Sequence, residues 1–233
     1  MAASTRAAPG SGAVLRLLVD THERLRDSDP RGFLNRIAGA LQGEPLATAV
    51  RHGLRFGDFL WVAGSPDAAP PDCAVLGCVV ERKTIGDLVG RSAGGAHTRQ
   101  IERLETCGLP HPFLLLEGDQ RQAASFPVYD EDACAARGSP DAIRCADDID
   151  DLCAHLLITG SPVGVLSTRD AEGTARLLAQ LSRWLGRRHR RRPPDPARPS
   201  PSLAAFEVEA RRRAGQREDL RATLLAAGVP AAA

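Results

Sequence analysis

Three consecutive residues, Glu81-Arg82-Lys83, carry the first suggestion of chemistry in this chain. They close the apolar run Val75 to Val80, broken only by Gly77, which reads as a buried strand. The run turns charged where Thr84-Ile85-Gly86-Asp87-Leu88 opens a helix. In an extended chain residues two apart share a face, so Glu81 and Lys83 point one way and Arg82 the other. A carboxylate can hold a divalent cation. A lysine beside it can orient a water, deprotonate it as the neutral amine, or neutralise a phosphate as the ammonium, and phosphodiester hydrolysis needs these parts. Lys83 is also the one lysine among thirty Lys and Arg residues. Where arginine is the habitual cation, a compact ammonium with an adjustable pKa points to work that guanidinium cannot do. The competing reading is an ion pair between surface neighbours, which stabilises little.

The elements that must position these groups follow from the apolar pattern. Ala13 to Asp20 is a strand ending in an acid, with Glu23 three residues on. Asp29 and Pro30 cap and start a helix bearing Phe33, Leu34, Ile37 and Leu41 on one side. Leu46 to Leu54 and Phe56 to Ala63 read as two strands in hairpin order, with Asp58 at the start of the second and Phe59 and Trp61 in the core. A short helix through Ile85, Leu88 and Val89 precedes a second one that turns Ile101 and Leu104 inward and stops at Gly108. Phe113 to Glu117 is a strand whose unbroken apolar run suits cover on both sides. Ile149, Leu152, Cys153, Leu156 and Leu157 have helical spacing, ended by Gly160 and Pro162. After a short strand, Val163 to Leu166, a helix from Thr168 or Asp170 to about Leu185 buries Leu178, Leu181 and Leu185. This alternation predicts an α/β fold with a mixed central sheet between helices.

Composition sets the outer bounds. At 233 residues with 43% hydrophobic content, the chain can bury one sizeable core and carry a small appendage. The formal net charge of +1 does not announce a nucleic-acid binder, but arginines crowd the segment from Arg183 to Arg198. Six cysteines without a Cys-x-x-Cys spacing read as reduced thiols, and no apolar stretch is long enough to span a membrane. The domain organisation read from these signals is a disordered leader over 1–12, a catalytic domain over 13–186, a basic Pro/Arg-rich linker over 187–202, and a final helical segment over 203–233. A lone helix after a linker has little to bury its apolar residues, so that last segment is expected to be mobile or loosely docked.

More specific are the words Gly57-Asp58-Phe59-Leu60-Trp61-Val62-Ala63, Val80-Glu81-Arg82-Lys83 with Asp87-Leu88, and Gln100 with Arg103-Leu104 and Cys107-Gly108-Leu109. Together they resemble the XPF family of structure-specific endonucleases. Gly-Asp-Phe-Leu-Trp and Asp20-Thr21-His22-Glu23 are similar to its MUS-type catalytic branch, over roughly Val14 to Leu185. The resemblance implies a restriction-endonuclease-like domain acting in the nucleus on branched DNA (3′ flaps, replication forks, Holliday junctions) in recombination and repair. It implies a heterodimer with a noncatalytic paralogous subunit. It also implies Mg²⁺ or Mn²⁺ on Asp58, Glu81 and Asp20, with Lys83 working on the attacking water and Arg82 counted in the catalytic set. Glu23 supports the site, and Asp87 is either a helix cap, a partner of Arg82 or a direct participant. Arg91, Arg99, Gln100 and Arg103 would meet DNA. Residues 203–233 would be the start of a truncated helix-hairpin-helix module. The chain departs from the family pattern at Gly94-Gly95-Ala96-His97 and at Arg99, where the family has a glutamate before the Gln. The competing function is a noncatalytic DNA-binding or scaffold paralogue. Loss of the acids or the lysine would mark it, and both are retained.

Overall fold

A six-stranded mixed sheet forms the centre of the molecule, as shown by a computed structural model that describes residues 13–21, 30–42, 47–91, 96–118, 142–192, 197 and 199–226. Its strands are β1 (Val14–Asp20), β2 (Ala47–His52), β3 (Phe59–Gly64), β4 (Ala74–Thr84), β5 (His111–Glu117) and β6 (Gly164–Thr168), in the spatial order β2-β1-β3-β4-β5-β6. The β1–β3 and β3–β4 pairs are antiparallel, and β1–β2, β4–β5 and β5–β6 are parallel. The expected hairpin of the second and third strands is therefore corrected. β2 lies outside β1 and parallel to it, while β3 pairs with β1 from the other side. Residues 53–58 carry the chain across the end of β1, and this crossing brings Asp58 to the centre of the sheet.

Strand alternation divides the interior into two cores. One face buries Leu15, Leu17, Phe59, Trp61, Val80 and Leu115 beneath α1 (Pro30–Ala40) and the long helix α5 (Ala171–Arg191). The other buries Leu18, Leu60, Val62, Val79, Leu114 and Leu116 beneath α2 (Ile85–Arg91), α3 (Ala96–Thr106), α4 (Ala142–Ile158) and α6 (Leu203–Ala226). Phe59 and Trp61 are fully buried as expected, and the Trp61 indole donates to Ser182 Oγ at 2.7 Å. Each such side chain contributes about 1.5–3 kcal/mol by leaving water.

Three expectations are corrected here. Helix α5 does not stop near Leu185 but runs on through Arg191, so the basic linker begins later than read. A terminal cluster of arginines is favourable against the helix dipole, and Arg188 lies over the Trp184 ring. In α4, Leu157 is 81% exposed and does not join Ile149 and Leu156 inside. Finally, α6 is docked: Leu203, Phe206 and Ala210 are buried in the core shared with α2 and α3. Backbone bonds from Leu203 N to Cys73 O and from Val75 N to Pro201 O, each 2.9 Å, pin its start. The leader over 1–12, Glu23, Asp29 and residues 227–233 lie outside the described residues.

Candidate active site

The site is built at the ends of β1, β3 and β4. Gly57 adopts φ 71°, and a Cβ there would meet Val79 Cγ2 at 2.4 Å and Val80 O at 3.0 Å. Only glycine lets this turn lie flat on β4. Asp58 N then donates to Val80 O at 2.9 Å, and the Asp58 carbonyl accepts from Asp20 N at 2.9 Å. The Asp58 side chain reaches the β4 backbone, where its Oδ2 accepts from Arg82 N at 2.7 Å. Glycine followed by aspartate is thus a steric and hydrogen-bonding requirement of this corner.

The alternation along β4 is as the sequence predicted. Arg82 turns to the α5 face, where it is buried and held by Glu117: Nε to Oε2 at 2.8 Å and Nη2 to Oε1 at 2.5 Å. Thr174 Oγ1 donates to the same carboxylate at 2.5 Å and is 2.7 Å from Thr168 Oγ1. A two-pronged pair with its remaining acceptor satisfied is the arrangement that makes a buried ion pair tolerable. Arg82 thus meets Asp58 through its backbone N–H, and its guanidinium braces β4 against β5 and α5. Glu117 and Thr174 escaped the sequence reading. The available signal was Glu117 itself, an acid ending an apolar strand as Asp20 and Glu81 do.

On the opposite face Glu81 and Lys83 lie together, Nζ 4.0 Å from Oε1, with only 12% and 10% of their side chains exposed. A cavity of about 160 Å³ opens beside Glu81, walled by Asp58, Glu81, Gln100, Arg103, Arg55 and Leu104. A smaller void of about 10 Å³ lies among Glu81, Lys83, Gln100 and apolar neighbours from α2, α3 and β5. The structure thus brings together Asp58, Glu81, Lys83, Gln100 and Arg103. Arg99 is exposed on α3, and Arg91 is the last residue of α2.

Asp20 is set apart. Its Oδ1 accepts from Leu54 N at 2.9 Å, fixing the segment that leads to Asp58, and it does not line the cavity. Among the described residues no three His, Cys, Asp or Glu side chains group to hold a metal ion. Asp87 is a helix cap partner: Thr84 Oγ1 accepts from Asp87 N at 3.0 Å and donates to Asp87 Oδ2 at 2.8 Å.

Residues 19–181, most of the chain, match the family model described as the ERCC4 domain. The chain belongs to the ERCC4 domain family. Over 128 residues, 52% of the chain, it is 35% identical to the structure-specific endonuclease subunit MUS81 of Danio rerio. It is 26% identical over 193 residues, 80% of the chain, to the crossover junction endonuclease mus81 of Aspergillus fumigatus. To the crossover junction endonuclease mus-81 of Neurospora crassa it is 31% identical over 119 residues, 48% of the chain. The matches cover 20%, 29% and 18% of those relatives, so the chain spans less than a third of their length. Among solved structures, XPF from Aeropyrum pernix is similar at 22% identity and a TM-score of 0.46, over 76% of this chain and 67% of that one. The ERCC4 domain here retains both words of the resemblance, Gly57-Asp58 and Glu81-Arg82-Lys83, at one corner of the sheet.

Proposed function

We propose that this ERCC4 domain is the catalytic part of a divalent-metal-dependent, structure-specific DNA endonuclease that nicks branched duplexes such as flaps, forks and Holliday junctions. The observation that supports this best is the shared wall of Asp58 and Glu81, with the Lys83 ammonium beside Glu81 and Arg103 alongside. The donors are hard oxygens, which suit Mg²⁺ or Mn²⁺, and Asp58 and Glu81 would hold the ion. Such an ion, when bound, stabilises charge growing on a phosphate and lowers the pKa of a bound water.

The rest falls to the chain's own groups. Arg82 N–H fixes the Asp58 carboxylate, and Lys83 orients the attacking water or takes its proton. Arg103 and Arg55 at the cavity, together with the exposed Arg99 and with Arg91, meet backbone phosphates. The curated relatives are called a crossover junction endonuclease and an endonuclease subunit. By extension the protein works on recombination and repair intermediates in the nucleus, paired with a noncatalytic paralogous subunit. No described helix is long and apolar enough to cross a membrane.

Labelled 3′-flap, nicked-junction and linear duplexes, incubated with and without Mg²⁺, test this reading. The expected result is Mg²⁺-dependent nicking of the branched substrates by the wild type and nicking slower by about 10²–10³ in Glu81→Gln. Equal cutting by both would put the chemistry elsewhere. DNA binding by folded wild type without any cleavage would instead identify a noncatalytic paralogue.

A further inference from the structure

Gln100 is the polar residue of this corner whose chemistry is unaccounted for. It projects from α3 and lines both the 160 Å³ cavity, with Asp58 and Glu81, and the smaller void beside Lys83. Its Oε1 is sealed from solvent and accepts no hydrogen bond from any described residue. Buried acceptors are rarely left so, because the group has given up water and gained nothing in return. Three partners are conceivable in that position: a donor on DNA, the Lys83 ammonium, or a cation. DNA phosphates present acceptors only, so a carbonyl oxygen gains nothing from the backbone that the neighbouring arginines would contact. Lys83 shares the smaller void with Gln100 but makes no hydrogen bond to it. A cation, in contrast, meets Asp58 and Glu81 on the same wall, the two carboxylates that line it among the described residues.

We infer that the Gln100 amide oxygen is a third protein oxygen at the divalent cation site of Asp58 and Glu81. This rests on the proposed function and deepens it. Two carboxylates and one neutral amide make a hard, modestly charged set that leaves further positions to water and substrate, which suits ions that dehydrate reluctantly. It also revises the role expected for Gln100 from contact with DNA to contact with the ion. An amide turned the other way round would offer N–H to a phosphate instead, and the two orientations make opposite predictions.

The test is Mn²⁺ binding to the full chain without DNA, followed by electron paramagnetic resonance, with anisotropy of a labelled duplex in EDTA as the second readout. Gln100→Leu is expected to weaken Mn²⁺ binding about tenfold and to leave metal-free DNA affinity unchanged. Gln100→Glu, similar in shape with an added charge, should bind Mn²⁺ at least as tightly as wild type, which guards against a Leu variant that merely misfolds. Wild-type Mn²⁺ affinity in Gln100→Leu overturns the inference, and a loss of DNA affinity alongside it assigns the amide to DNA. Wild-type Mn²⁺ binding no tighter than that of Glu81→Gln would overturn the cation site itself.

Discussion

Arg82 leaves β4 on one face of the sheet while Glu81 and Lys83 leave it on the other. On the α5 face the charge is buried, doubly bonded to Glu117 and seconded by Thr174. On the α3 face Glu81 and Lys83 stand 4.0 Å apart, at the outer limit of an ion pair, and Glu81 borders a cavity large enough to admit ions and water. One strand end thus holds a closed electrostatic unit and an open one, back to back. The closed unit fixes backbone position through Arg82 N–H to Asp58, and in the other unit Glu81 borders a cavity. Stability and chemistry are separated by a single residue step, so substitutions on the two faces ought to fail in different ways.

The largest expected effect is on the closed face. Glu117→Ala leaves Arg82 buried and uncompensated and is expected to cost about 3–5 kcal/mol in urea unfolding. Arg82→Met combined with Glu117→Leu should recover most of that, and a double mutant as unstable as the single one would show that the pair itself was stabilising.

Next comes Glu81→Gln on the open face. Cleavage is expected to fall by about 10²–10³, with the unfolding midpoint shifted by no more than about 0.5 kcal/mol. A large stability loss would mean that Glu81 is structural and would dissolve the contrast between the faces. Lys83→Arg keeps the charge and loses the compact ammonium, so single-turnover nicking should still drop about a hundredfold. Retained cleavage would reduce Lys83 to a generic cation.

Gly57→Ala tests the hinge between the two faces, because a Cβ there meets Val79 and the Val80 carbonyl at positive φ. It should destabilise by about 1–3 kcal/mol, read from thermal unfolding, and should lower cleavage as well by displacing Asp58.

The smallest effect sharpens the closed face alone. Burial pushes the Cys78 thiol up to about 12, so in the folded chain it stays protonated near pH 8. The unfolded thiol ionises near its ordinary value, so deprotonation favours the unfolded chain as pH rises past that point and lags far behind in the folded one. Iodoacetamide at pH 8 should label Cys78 only when urea is added, and rapid labelling of native protein would show this face to be open.

Much of the site was legible because its signals are local. A strand that turns from apolar to charged, with residues two apart sharing a face, was enough to place Glu81 and Lys83 together and Arg82 opposite. Gly57-Asp58 was legible as a word, but its reason is the approach of β4, which no sequence distance reveals. Partners far along the chain were not legible: Glu117 lies 35 residues from Arg82, and Thr174 is 57 from Glu117. The strand order failed on a local prior, since two apolar runs separated by a few residues suggest a hairpin, whereas this segment crosses the end of β1. Asp20 ends a strand as the other acids do, and the contact of its Oδ1 with the Leu54 amide is one that no sequence spacing reveals.

The docking of α6 changes where a working piece of this protein can be cut. Phe206 packs edge-on against Phe56, with ring centres 6.1 Å apart, and Glu207 lies 3.5 Å from Arg55, so two residues next to Gly57-Asp58 lean on a helix that follows the Pro/Arg stretch. A recombinant piece that ends at that stretch, the conventional place to divide two modules, would strip the outer wall from the segment delivering Asp58 and uncover Phe56. The packed core extends at least to Ala210, and the first turns of α6 belong to the body that positions Asp58.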